Sequence, residues 1–559
     1  MTQHWDHSYD VVVVGSGAAG FAAALTARLR GLSALIVEKT DLYGGSTALS
    51  GGAIWVPDNF HLHDAGLPDS RERARRYLAA TVGDRVPGER LDAYLEHGPR
   101  MVREFHDRTL VRFMYTDGYS DYYPERDGGF ARGRSVEPQL FDVKKLPREQ
   151  RGTLRRSLLP TRGLTMTSYD FRYLNMVSRT GRARARALRV GARSVLARLS
   201  GQELLSLGGA LIARMRYSLD RLGGELWLRC PVTELVKEGE RVAGVRVRRG
   251  GRTVSVAARG GVVLASGGFS HSAALRDKHL PHPTDTAWSV AAEGQTGDGL
   301  ELALAEGAAT DLLDKVWGAP AVLPPGAPTP FFLVADRAIP GMIIVNQVGE
   351  RYANEASPYH EFVDAMYAHH RPDASTVPSW LILDAVSKAR YLFAGLFPGQ
   401  SLPQEWLASG FAHRADTVEE LARAAGMPQR ALRSTVERFN AFARRGVDDD
   451  FGRGESAYDR YYGDPTLPNP NLHPLEKGPF YAIPVHPGDI GTKGGVVTDP
   501  AARVLREDGS VVRGLYASGN VSAAVMGETY PGPGATIGPA MTFSWAAVNR
   551  IAEDLGDAG

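Results

Sequence analysis

The sequence predicts an α/β fold: a Rossmann-like dinucleotide-binding domain made of discontinuous segments, with an inserted α+β domain. Three observations predict it. First, a β-branched run, Asp10–Val14, passes directly into Gly15-Ser16-Gly17-Ala18-Ala19-Gly20 and an Ala/Leu-rich helical stretch. Second, two more strand-like runs end on glycines far along the chain, at 261–268 and 514–520. Third, the chain between about 314 and 488 has its own texture, with amphipathic helical patterns at Thr417–Ala422 and Arg430–Arg445. A chain of 559 residues has room for more than one domain, and no solenoid repeat is present.

At the N-terminus, each residue type has a physical task. Gly15 makes the tight turn, Gly17 lets the backbone approach a pyrophosphate, and Gly20 lets helix and strand pack closely. Ala18 and Ala19 lie at the start of a helix expected from roughly Phe21 to Arg30, whose free N–H groups suit an anion. A second strand, Leu35-Ile36-Val37, ends at Glu38, which is placed to accept ribose hydroxyls, with Lys39 beside it. A GxGxxG alone is a weak signal and reads equally as a plain glycine loop. With strand, helix, second strand and terminal acid in register it predicts dinucleotide binding.

Directly afterwards, Gly44, Gly45, Ser46, Thr47, Ser50, Gly51 and Gly52 form a glycine and hydroxyl cluster that would run along a long cofactor. The competing reading is a surface loop, but Ala53–Pro57 resumes an apolar pattern at once. Later returns to the cofactor are expected at Ser266, Gly267 and Gly268, at Gly519 and Asn520, and at Gly534, Ile537 and Gly538. Pro539 suits the first turn of a final helix placed from about Met541, whose N-terminal N–H groups would favour a nearby anion. The expected division is 1–313 with 489–559 for the cofactor domain and 314–488 for the insertion.

Composition excludes several classes. Hydrophobic residues are 43% and charged residues 23%, which is ordinary for a folded chain. The single cysteine, Cys230, rules out an internal disulfide and a multi-cysteine metal site. No metal site is expected. Residues Met1–Asp6 carry no signal pattern and no apolar run is long enough to span a membrane. The expected location is cytoplasmic. The formal net charge of +2 conceals a block: residues 144–198 hold fifteen basic side chains and two acids, +13 against −11 elsewhere. Within it Leu188, Ala192, Val195, Leu196 and Leu199 share one helical face, and Arg182, Arg186, Arg189 and Arg193 a neighbouring one. A solvated basic face and docking to the inner face of the cell membrane through about 144–200 are both open readings. No nucleic-acid motif accompanies the charge.

The cofactor segments resemble those of the fumarate reductase/succinate dehydrogenase-like flavoprotein superfamily. Four places resemble the 3-ketosteroid Δ1-dehydrogenase family in particular: Tyr119-Ser120-Asp121-Tyr122-Tyr123; Gly349–Glu355 with Ser357-Pro358-Tyr359; Gly491-Thr492-Lys493-Gly494-Gly495; and Tyr530-Pro531-Gly532-Pro533-Gly534. The resemblance implies noncovalent FAD, since Gly44–Thr47 lacks the histidine of covalently flavinylated relatives. It also implies that the inserted domain is catalytic and substrate-capping. Tyr530 and the Gly534 N–H would hold a 3-keto oxygen, Tyr359 would remove the C2 proton, and Tyr122 would support the ionised form of Tyr359.

Taken singly, most of the 21 tyrosines are packing residues. Tyr359 follows a proline in a stretch that reads as a fixed loop, and Tyr530 precedes a stiff Pro-Gly-Pro-Gly turn. Lys493 reads as a carboxylate ligand or as a loop or surface lysine. The function implied is 1,2-desaturation of a 3-oxo-4-ene steroid. A 4-ene-forming 5α-3-ketosteroid dehydrogenase, a fumarate or urocanate reductase-like enzyme, and a non-enzymatic flavin-binding module docked on a membrane stand as alternatives. The electron acceptor is not legible; a quinone suits an enzyme near a membrane.

Overall fold

Val11–Val14 lie almost wholly buried in the middle of an eight-stranded sheet. The structure is a computed structural model and describes residues 4–157 and 163–557; Met1–Gln3 of the N-terminal expectation and Arg162 of the basic block lie outside the described residues. Five strands of the sheet run parallel, in the order Val511–Ala517, Arg252–Leu264, His7–Val14, Ala34–Val37, Glu225–Trp227. Being covered on both faces, they read as near-continuous apolar runs. Arg503–Leu505 adds an antiparallel edge. The first half of Arg252–Leu264 also pairs antiparallel with Arg241–Arg249.

Helix Ala18–Leu29 begins three residues before the expected Phe21, because Gly17 serves as its N-cap. Its small side chains allow close packing on the sheet and against the last helix, Ile537–Asp557. That last helix starts at Ile537 and not at Met541. Pro539 falls in its first turn, where a missing N–H costs nothing. The 43–52 segment is not a loop throughout; Gly45–Leu49 is a short helix.

The second sheet is antiparallel and has six strands: Phe331–Phe332, Val316–Val322, Phe480–Thr492, Ser379–Leu383 and Met342–Val345 in order, with His413–Ala415 added to Phe480–Thr492. Phe480–Thr492 is one strand that runs across the 488/489 boundary expected from sequence. The amphipathic helices appear as Val418–Ala424, with a Thr417–Glu420 capping box, and Gln429–Arg445.

Much of the Gly349–Glu355 motif is structural. Arg351 bridges Glu355 at 2.7 Å and Asp448 at 2.8 Å, and Arg453 reaches the other Glu355 oxygen at 3.1 Å, all buried. Burial alone would raise the Glu355 pKa; the Arg351 and Arg453 guanidiniums outweigh it and hold the carboxyl below its usual range. This clamp fixes the chain that leads to Tyr359. Arg453→Met strands charge in the clamp and should lower unfolding stability by roughly 3–5 kcal/mol, read as a shifted urea midpoint; an unchanged midpoint would contradict the role.

Candidate functional site

The three glycine returns meet at the carboxyl ends of the parallel strands, the usual ligand edge of such sheets. Gly15 N–H donates to the Val37 oxygen, Ala265 N–H to Val14 and Ser518 N–H to Leu264, at 2.8–2.9 Å. Gly15 has a φ of +105° and backs directly on Ala265, so a side chain would not fit. Beside Gly17 the nearest atom to an added Cβ would be Thr47 Oγ1 at 3.7 Å, which leaves a face open to a ligand.

The other cofactor candidates are stitched around this edge. Glu38 accepts from Ser16 N and Oγ at 3.1 and 2.6 Å and from Thr40 N at 2.9 Å, so its carboxylate is already oriented. Thr47 Oγ1 accepts from Ala18 N at 3.1 Å. Ser46 Oγ accepts from Ala292 N and from Gln295, whose Oε1 accepts from Gly268 N at 3.0 Å. Lys39 is turned away to Asp298 (2.7 Å) and Thr296 (2.5 Å). Asn520 packs against Gly491, where no side chain would fit.

These residues fit FAD. The helix at Gly17 has no side-chain cap and no acid in its first turn, as an anion site requires. The Ser266 hydroxyl is buried with no partner, a group that a ligand would satisfy.

Next to this edge, the proposed tyrosines converge. Tyr122 Oη donates to Tyr359 Oη at 2.7 Å across 237 residues of sequence. The Tyr530 ring lies 5.0 Å from Tyr122 and 5.5 Å from Tyr359, both edge-on. Burial raises the Tyr530 phenol, and Tyr359, Thr536 and the Gly534 backbone pull it partly back. Gly534 has a φ of +93° and abuts Ala53, so only glycine fits.

Tyr359 is not in a loop. It is the first residue of helix Tyr359–Ala368, with Pro358 as N-cap. The apolar spacing of Phe362, Val363 and Met366 makes the helix, and all three are buried. Its positive N-terminal end favours an anion on that phenol.

Sequence reasoning missed the frame around these groups. Asp121 holds Trp55 Nε1 at 2.8 Å, Phe130 N at 3.1 Å and the Arg134 guanidinium, which also binds Asp69 at 2.9 Å. Burial lifts the Asp121 carboxyl to about 6 in spite of Arg134. Pro531 O accepts from Tyr122 N at 2.9 Å and Tyr77 Oη at 2.6 Å, which ties two of the tyrosine segments together. Tyr458 (4.8 Å from Tyr122), Trp317 (4.8 Å from Tyr530) and Phe332 (4.8 Å from Tyr359) complete an aromatic wall. His360 Nε2 meets Tyr123 Oη at 3.1 Å, and burial holds its pKa well below the usual histidine range. Only the Asp121-Tyr122 adjacency gave any sign of this frame.

Burial pushes Tyr359 well above the usual phenol range, the nearby Tyr530 adds to this, and the Tyr122 bond pulls the other way. Tyr122 is likewise raised, by burial first and then by Tyr359. The arrangement offers a potential base, a hydrogen-bonding partner for it, and a third phenol, Tyr530, edge-on to both.

The profile described as "FAD binding domain" matches residues 10–537. A 3-oxosteroid 1-dehydrogenase of Mycolicibacterium smegmatis is 48% identical, over 97% of this chain and 97% of its own length. A 3-oxosteroid 1-dehydrogenase of Mycobacterium tuberculosis is 47% identical, over 98% and 99%. The crystal structure of 3-ketosteroid Δ1-dehydrogenase from Sterolibacterium denitrificans, in complex with 1,4-androstadiene-3,17-dione, superposes with a TM-score of 0.94. It is 40% identical and covers 98% of this chain and 100% of that one. The chain belongs to the 3-ketosteroid Δ1-dehydrogenase family. As a member it is an FAD-dependent oxidoreductase of the CH–CH group. In this family member the Gly44–Thr47 segment has no histidine for a flavin bond. Acid precipitation should therefore release all the flavin; yellow polypeptide in the pellet would contradict noncovalent binding.

Proposed function

We propose that this chain introduces a C1=C2 double bond into ring A of 3-oxo-4-ene steroids, with Tyr359 as base, Tyr530 and Gly534 as a clamp on the 3-keto oxygen, and Tyr122 as the support of Tyr359. The observation that carries the reading is the 2.7 Å bond between the Tyr122 and Tyr359 hydroxyls with the Tyr530 ring edge-on to both. A proton α to a ketone is weakly acidic, so its removal needs a base and, at the same time, donors for the developing enolate oxygen. Tyr530 Oη–H and Gly534 N–H supply those donors from one rigid turn. Tyr359 takes the C2 proton on its phenolate oxygen. The Tyr122 hydroxyl and the N-terminus of helix Tyr359–Ala368 both favour that phenolate. FAD, when bound, would supply the two-electron oxidation by accepting the C1 hydride. The aromatic wall keeps water from the enolate.

In this reading residues 1–313 and about 489–559 hold the cofactor and 314 to about 488 cap the substrate, with strand Phe480–Thr492 running from one into the other. Gly15, Gly17, Ala18, Ala19 and Gly20 take the pyrophosphate and Glu38 the ribose. The 44–52, 266–268 and 519–520 segments follow the rest of the cofactor, and Gly534, Ile537 and Gly538 its flavin edge. Lys39 serves indirectly, by its tie to Asp298.

Anaerobic mixing with a 3-oxo-4-ene steroid should bleach the flavin band and give a product two mass units lighter. Tyr359→Phe should bind steroid yet reduce flavin about 10²–10⁴-fold more slowly. Because burial raises Tyr359, kcat/KM should climb with pH as the phenol loses its proton. Tyr122→Phe removes the downward pull and should move that limb to higher pH. Normal turnover by Tyr359→Phe would refute the assignment.

The reading extends to a membrane surface. Among the described residues no helix is long and apolar enough to cross a membrane. Yet five of the eight exposed large hydrophobic side chains among them lie at 171–199, with Leu188 75%, Leu196 64% and Leu199 80% exposed. All but Phe171 lie on helix Gly181–Leu199, whose buried positions are Ala183, Val190, Ser194 and Ala197. The expected basic face is smaller than its composition implies: Arg186 and Arg193 turn inward to buried Asp170 at 2.5 and 2.6 Å. Arg182, Arg184, Arg189 and Arg198 remain exposed beside the leucines. Apolar side chains flanked by cations suit peripheral docking on an anionic bilayer, where a steroid partitions and a quinone is at hand as acceptor. Wild type should float with anionic vesicles, and a Leu188→Asp, Leu196→Asp, Leu199→Asp variant with normal steroid turnover should not. Equal flotation would remove the docking proposal.

A further inference from the structure

Lys493 is neither at the surface nor paired with a carboxylate within ion-pair distance among the described residues. It is 2% exposed. Its Nζ donates to the backbone oxygens of Glu528 at 2.5 Å and Thr529 at 3.0 Å, the two carbonyls that precede Tyr530. The ammonium also lies 4.7 Å from the centroid of the Trp317 ring, and Trp317 meets Tyr530 edge to face at 4.8 Å. Lys493 therefore grips the Tyr530 segment by its backbone and backs its ring through one intervening indole.

Other ties to this segment are of a different kind. Glu528 is held through its side chain by Arg85 at 3.2 Å and Lys315 at 3.5 Å, at the surface, where ion pairs contribute little. Tyr77, Tyr122 and Ser135 hold the carbonyls of Pro531 and Pro533, after Tyr530. Within the turn itself Thr529 N and Oγ1 donate to Met526 O at 3.2 and 3.0 Å; among the described residues Lys493 alone donates to the Glu528 and Thr529 carbonyls. Burying an ammonium among neutral acceptors is costly: burial pulls the Lys493 pKa down to about 7, and Asp364 and Glu528 offset this only from longer range. A methionine would fill the same space without that cost.

We propose that Lys493 is a positioning residue for the ketone clamp: it fixes the two peptide units before Tyr530 and, through Trp317, the Tyr530 ring, so that the Tyr530 hydroxyl and Gly534 N–H stay aimed at one oxygen. The inference rests on the assignment of Tyr530 and Gly534 made above.

The test uses flavin-loaded enzyme with Lys493→Met, Lys493→Arg and Tyr530→Phe. Three quantities are read: kcat, the dissociation constant of the dienone product, and the C=O stretching frequency of that bound product by Raman difference spectroscopy. Lys493→Met should lower kcat about 10²-fold, the scale of a small misplacement of reacting groups. It should change the dissociation constant by less than about tenfold and move the bound C=O stretch back towards its value in solution. Lys493→Arg, which keeps two donors, should restore part of that shift. An unchanged C=O stretch in Lys493→Met overturns the inference, whatever the turnover. If Lys493→Met does not retain flavin, Lys493→Gln is read by the same criterion. If Tyr530→Phe itself leaves the C=O stretch unchanged, the clamp assignment fails and not merely the role of Lys493.

Discussion

The bond between the Tyr122 and Tyr359 hydroxyls is the constraint on which the rest depends. It joins residues 237 apart in sequence at 2.7 Å, a distance that tolerates little drift in either backbone. Each side is therefore anchored by buried charge. Asp121, next to Tyr122, is held by Arg134 and Trp55. Glu355, four residues before Tyr359, is held by Arg351 and Arg453. Such clusters add modest net stability and mainly exact geometry, because one missing partner leaves a stranded charge. Here they fix the two ends of a short hydrogen bond between distant segments of the chain.

The aromatic surroundings serve two opposed needs. They exclude water, which strengthens any polar contact made there, and they raise the pKa of each phenol, which opposes the base that the proposed reaction needs. The fold answers with placement. Tyr359 starts a helix and so faces the positive end of its dipole, and it receives a hydrogen bond from Tyr122. Tyr530 lies on a turn that only glycine at 534 allows, with the Gly534 N–H beside its hydroxyl. Cation-rich sequence has the opposite fate at 181–199. There two arginines fold inward to Asp170, while leucines that would ordinarily form a core remain in solvent.

Local sequence determined the cofactor half of the protein. Parallel strands covered on both faces need apolar runs such as Val11–Val14, a pyrophosphate turn must have glycines at fixed spacing, and Pro539 marks the first turn of a final helix, whose start at Ile537 only the structure placed. The resemblance of four short motifs pointed to the tyrosines that the structure brings together. Those signals are short-range, and each can be read within about ten residues.

Tertiary structure alone decided what surrounds them. That Tyr359 opens a helix, that Trp55, Trp317, Phe332 and Tyr458 wall the site, and that Lys493 is buried beneath Tyr530 all depend on packing between segments hundreds of residues apart. Nothing in a stretch such as Ala457–Tyr461 separates a site tyrosine from a core tyrosine. Exposure of the 188–199 leucines was equally closed to sequence, because an amphipathic period gives the width of an apolar face and not its direction. Which way it points depends on what the other face finds to bind, and here that was one buried carboxylate, Asp170.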